Sequence, residues 1–105
     1  MIHELKTDPV AYDDVERGVK LFEIRLNDRD FQRGDSLYLR RTQHTGVEMQ
    51  NGEPLVYTGK GLIVEVLHVM SGPLYGLQAG WVIMSIKLAY CECPHCAKPS
   101  AATPA

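Results

Sequence analysis

Between Lys60 and Met70 the chain runs eleven residues without a proline and places large apolar side chains on both faces of an extended backbone. Side chains alternate along a strand, so Leu62, Val64, Val66 and His68 share one face while Ile63, Glu65, Leu67 and Val69 share the other. A strand apolar on both sides needs cover on both sides. In 105 residues that cover has to come from one small core, because a second folding unit of ordinary size does not fit.

The flanking sequence supplies the neighbours. Ile2 to Lys6 reads as a short edge strand. Asp8-Pro9 then opens a helix over about residues 9–17, with the Asp8 acceptor at the N-cap, Pro9 in the first turn and Gly18 as the stop. Val10, Tyr12 and Val15 are its candidate inward residues. Lys20 to Leu26 alternates Phe22 and Ile24 with Glu23 and Arg25, and Ser36 to Thr42 alternates Leu37 and Leu39 with Tyr38 and Arg40, so both read as strands. His44 to Thr58, rich in glycine and polar residues, reads as a mobile excursion or loose hairpin. Ser71-Gly72-Pro73 ends the long strand, and Trp81 to Leu88 is the last one. One N-terminal helix with about five strands predicts an α+β domain over residues 1–88, folded as a small closed or nearly closed β-barrel, since closure removes exposed edges. Residues 89–105 are expected to form a Cys-containing, flexible tail.

Composition narrows the function classes. The longest run of large apolar residues is four, Trp81 to Met84, against the roughly 20 that a membrane helix needs. His3, Glu4, Lys6 and Asp8 stand where a signal peptide would be apolar. The expectation is a soluble, cytoplasmic protein without a membrane partner. A net charge of -2 and a pI of about 6.0 exclude nucleic-acid binding by bulk charge. Positive charge is nonetheless concentrated in Lys20, Arg25, Arg29, Arg33, Arg40 and Arg41, a stripe suited to a short nucleic acid or a small anion.

The stripe begins in Gly18-Val19-Lys20-Leu21-Phe22-Glu23-Ile24-Arg25, followed by Gly34-Asp35. This Gly-x-Lys-x-x-Glu-x-Arg pattern resembles the signature of the ASCH domains of the PUA-like superfamily. Ile2 to Lys6, Tyr75-Gly76-Leu77 and Trp81 to Ile86 are similar to a small uncharacterised ASCH-like family of bacteriophages and prophages. The resemblance covers about residues 2–88. It implies a PUA-like barrel with a cleft beside the helix, and RNA or a modified nucleoside as partner. Some ASCH proteins are amidohydrolases on N4-acetylcytidine and others are reported as ribonucleases. The amidohydrolase branch carries a nucleophilic Thr three residues after the motif Lys, where this chain has Glu23, so the Thr-based mechanism does not carry over.

The residues themselves allow a binding and a catalytic reading. Glu23 and Arg25 lie on one face of a strand, where they can form an ion pair or share a ligand. In the binding reading Lys20, Glu23, Arg25 and Arg40 line the cleft, basic groups take phosphate or carbonyl oxygens, and Tyr75 and Trp81 can stack on a base. Core packing competes for Trp81, and a neutral core or rim position is the default for His68. In the catalytic reading Lys20 acts as base and Glu23 as proton shuttle. Asn27-Asp28-Arg29-Asp30 suits either a ribose or metal contact or a solvated turn. No cofactor is expected in the domain. Cys91, Cys93 and Cys96 are candidate zinc ligands, since Cys-Pro-x-Cys resembles half of a zinc ribbon; the same tail could instead dock a protein partner.

Overall fold

A computed structural model describes residues 1–91. In order, the chain forms β1 (Ile2–Thr7), α1 (Pro9–Glu16), β2 (Phe22–Leu26), β3 (Ser36–Thr42), α2 (Gly46–Gln50), β4 (Tyr57–Ser71) and β5 (Trp81–Cys91). The strands make one sheet in the order β1-β3-β4-β5-β2, with β1 parallel to β3 and every other pair antiparallel. Bulges at Arg40/Thr42, Ile63/Val64 and Val66/His68 bend the long strands. The sheet curls into a half-barrel. It does not close: β1 and β2 are its two ends and do not pair with each other. The expected closed or nearly closed barrel is a half-barrel with a seam.

The core comprises Leu5, Tyr12, Val15, Phe31, Leu37, Leu39, Leu62, Val64, Val66, Val82, Met84 and Ile86. These come from the concave face of the sheet, the inner side of α1 and the β2–β3 connection. One helix can cover only that face. Leu67 on the convex side is consequently exposed and Ile63 half-buried, although the sequence suggested burial on both sides of β4. The Val66/His68 bulge also reverses the phase of β4. His68 turns to solvent instead of taking a core or rim position, and Val69 packs inward against the core.

Local chemistry accounts for the rest. Pro9 and Gly18 bound α1 as expected, Gly18 at φ 77. Tyr12 and Val15 are buried, but Val10 is exposed. The Asp8 side chain does not cap its own helix; its Oδ1 accepts from the Gly46 amide at 3.1 Å. Residues 44–58, read as a loose excursion, thus contain an anchored helix, α2, closed by a Thr45/Glu48 capping box. Arg41 grips Asp13 with two hydrogen bonds of 2.8 and 3.1 Å, and Lys60 meets Glu16 at 3.2 Å, which ties α1 to β3 and β4. β5 continues through Ala89 and Tyr90 to Cys91, opposite Ile63 and Leu62, so the ordered domain extends past residue 88.

The start of β1 is fixed by a buried pair. The His3 Nε2–H donates to Asp35 Oδ2 at 2.9 Å, and the same oxygen accepts from the Gln32 amide at 3.0 Å. The His3 hydrogen bond, followed by that of Gln32, holds the Asp35 carboxyl below its usual 3.8, and Arg41 does the same for Asp13. A depressed folded pKa gives stability that is present above the unfolded value and lost as pH falls through the folded one. Denaturant midpoints should therefore drop steeply below about pH 4. Asp35→Asn should cost about 1–2 kcal/mol at pH 7 from its disrupted hydrogen bonds, and the gap to the parent protein should narrow as the pH falls below that of carboxyl titration. Urea melts from pH 7 to 2.5 test this; a gap that stays constant throughout would contradict it.

Candidate functional site

The seam between β1 and β2 opens into a cleft of about 640 Å³. β2 forms one wall. The end of β1, Asp8 and Ala11 form the other, and Asp28, Arg29, Phe31 and Trp81 close one end. The phase of β2 sets its chemistry. Phe22, Ile24 and Leu26 are partly exposed, whereas Glu23 is only 3% accessible. An edge strand that turned its apolar residues inward would leave two charges outside; this one buries a carboxylate and supplies partners for it.

Those partners are the two cations of the motif. Lys20 Nζ donates to Glu23 Oε2 at 2.7 Å and to the Phe22 carbonyl at 2.6 Å, with its ammonium 4.8 Å from the Phe22 ring centre. Arg25 Nε donates to Glu23 Oε1 at 2.9 Å. The same guanidinium crosses the seam, where Nη1 reaches the Lys6 carbonyl at 3.2 Å and Nη2 reaches Thr7 Oγ1 at 3.3 Å. Arg29 makes a second crossing, from Nη1 to the Glu4 carbonyl at 2.9 Å. The seam is thus held by arginine side chains in place of a backbone ladder.

Lys20, Glu23 and Arg25 converge as the sequence suggested, and Trp81, 36% accessible, lines the cleft instead of packing in the core. Two other candidates lie elsewhere. Arg40 is on β3, bonded to Glu4 Oε2 at 2.8 Å and 3.7 Å above the Tyr57 ring; Glu4 pushes its pKa further up. It lies outside the cleft because Leu39 and Thr42 take the inward positions of that strand. Tyr75 is 91% accessible at φ 50 in the tight turn between Leu74 and Leu77, which exchange backbone hydrogen bonds, and is not part of the cleft wall.

Sequence reasoning missed Thr7 and left Arg29 in a stretch that also read as a solvated turn. Arg29 belonged to a visible run of arginines; Thr7 carried no signal, because it meets Arg25 only through the fold. Asn27 has a local role, its Oδ1 accepting from the Phe31 amide at 2.9 Å. Among the described residues no group of three His, Cys, Asp or Glu side chains could hold a metal ion, and no helix is long and apolar enough to cross a membrane. Cys93 and Cys96 lie outside the described residues, and the zinc reading with them; the Cys91 backbone ends β5.

Loss of the central charge should be felt in the whole fold. Glu23→Gln leaves Lys20 and Arg25 without their shared anion, at a cost of about 1–3 kcal/mol, and Arg25→Ala should cost a similar amount by opening the seam. At roughly 4–8 °C per kcal/mol for a domain of this size, both changes should be plain in a thermal melt. Two variants melting with the parent protein would show that the ion pairs do not hold β2 in place.

No curated protein matches this chain. Residues 2–86 match a family model described as a domain of unknown function, DUF3850, a span that takes in β1 to β4, most of β5 and every residue of the cleft. The chain belongs to the DUF3850 family.

Proposed function

We propose that the seam cleft binds RNA or a modified nucleoside, as a recognition module. The observation that carries this reading is the row Lys20–Glu23–Arg25 with hydrogen-bond capacity left over. Lysine has three donors and arginine five. Lys20 uses two, on Glu23 and Phe22, and Arg25 uses three, on Glu23, Lys6 and Thr7. The remaining N–H groups can take phosphate or carbonyl oxygens, and Glu23 retains lone pairs for an amino group. The cleft volume falls within the range of small-molecule sites, roughly 300–1,000 Å³. Trp81 at one end supports the same reading, since stacking of a base on an aromatic ring contributes about 1–3 kcal/mol. The motif's resemblance to ASCH domains selects nucleosides among the ligands such a row could hold.

Binding is preferred to hydrolysis because the site lacks an activated nucleophile. The Thr7 hydroxyl donates to the Leu5 carbonyl at 3.3 Å and accepts from the Arg25 guanidinium, so its proton is held by a backbone carbonyl and not by a general base. Glu23 keeps both oxygens in ion pairs. N4-acetylcytidine should therefore be left intact over long incubation, as followed by chromatography.

Trp81 is the sole tryptophan, so its fluorescence reports on the cleft directly. Titration with nucleosides and short RNA should perturb its emission. Lys20→Ala and Arg25→Ala should weaken binding tenfold or more in variants shown by circular dichroism to be folded. Equal affinity in both variants, or no response to any nucleoside or RNA, would refute the assignment.

A further inference from the structure

The ladder between β2 and β5 determines which backbone groups of β2 face the cleft. At one end the Ile86 amide donates to the Leu21 carbonyl at 3.1 Å, and at the other the Asn27 amide donates to the Gly80 carbonyl at 2.8 Å. Between them the register pairs Phe22 with Ser85, Ile24 with Ile83 and Leu26 with Trp81. Hydrogen-bonded pairs alternate along an antiparallel ladder. Leu21, Glu23, Arg25 and Asn27 therefore turn their backbone groups to β5, while Phe22, Ile24 and Leu26 turn theirs to the seam.

Most of the carbonyls at the seam are engaged. Lys20 takes that of Phe22, the Asp28 amide takes that of Leu26, and Arg25 and Arg29 cover Lys6 and Glu4 on the opposite edge. By this alternation Ile24, a cleft-lining residue at the middle of β2, turns its N–H and C=O away from the β5 ladder, and no turn, loop or side-chain hydrogen bond engages either among the described residues. One donor and one acceptor stand side by side there. An added peptide strand would need such couples at every second residue along the edge. A single couple suits a planar heterocycle.

We propose that the Ile24 N–H and C=O read the Watson–Crick edge of an unpaired base, which makes the ligand a free nucleoside or a single strand and excludes a duplex. This rests on the nucleoside reading above. Each base presents a donor beside an acceptor on that edge, and single-stranded RNA is recognised by splaying bases out, bonding that edge and stacking the ring on aromatic or guanidinium planes. The Arg25 guanidinium, crossing the seam to Lys6 and Thr7, supplies such a plane next to Ile24. In a duplex the same edge is already paired.

Uridine, N3-methyluridine, cytidine and a short RNA duplex are the probes, titrated into the ¹⁵N-labelled full chain. Uridine or cytidine should shift the Ile24 amide resonance. N3-methyluridine, whose edge donor is blocked, should bind at least tenfold more weakly than uridine, and the duplex should leave Ile24 unmoved. Ile24→Pro removes an amide hydrogen that faces away from β5 and so takes no ladder bond with it, a substitution edge strands tolerate; it should lose tenfold or more in affinity. If that variant does not fold, the methylated nucleoside decides alone. Equal binding of uridine and N3-methyluridine with Trp81 responding would overturn the Ile24 assignment and leave the cleft's nucleoside role standing. No response of any cleft resonance to either nucleoside would overturn both.

Discussion

The buried carboxylate of Glu23 is the constraint on which the open side of this molecule depends. A charge 3% accessible is costly unless it is paired and hydrogen-bonded. Here two cations pair it, Lys20 from just before β2 and Arg25 from within it. One of them, Arg25, then reaches the opposite edge of the sheet. A single side chain thus joins the burial of Glu23, the position of β2 and the width of the seam. Closing the half-barrel with backbone hydrogen bonds would remove the cleft. Leaving β1 and β2 unconnected would expose two edges to other chains. Side-chain bridging avoids both outcomes and leaves polar groups aimed into an accessible space.

Much of this was legible in the residues because it depends on local patterning. The limits of α1 follow from Pro9 and Gly18, the inward positions of β3 from the alternation of Leu37 and Leu39, and the convergence of Lys20, Glu23 and Arg25 from the strand period within one motif. Thr45 and Glu48 also spelled out a capping box, but the polar composition around them masked it.

What stayed hidden depends on register between distant segments. Whether Arg40 meets Glu4 or the cleft is decided by the parallel pairing of β1 with β3. The phase of His68 is decided by a bulge against β5, which no alternation within β4 reveals. Closure itself was misjudged for the same reason. Strand count and apolar content describe how much sheet a chain can make, whereas the meeting of its two ends depends on what lies along their edges. In this chain Arg25 and Arg29 occupy the carbonyls of β1.

The placement of β2 also bears on the order in which the molecule assembles. Among the described residues its sole strand neighbour is β5, the last strand in chain order, although β2 itself is among the first segments of the chain. Contacts between remote segments form slowly because a long loop must close before they stabilise anything. The strand that carries Lys20's partner, Glu23, and Arg25 has no ladder to join until nearly the whole domain has been synthesised. The cleft is therefore a late product of folding, and partly folded chains that have already paired β3 with β4 would still lack it.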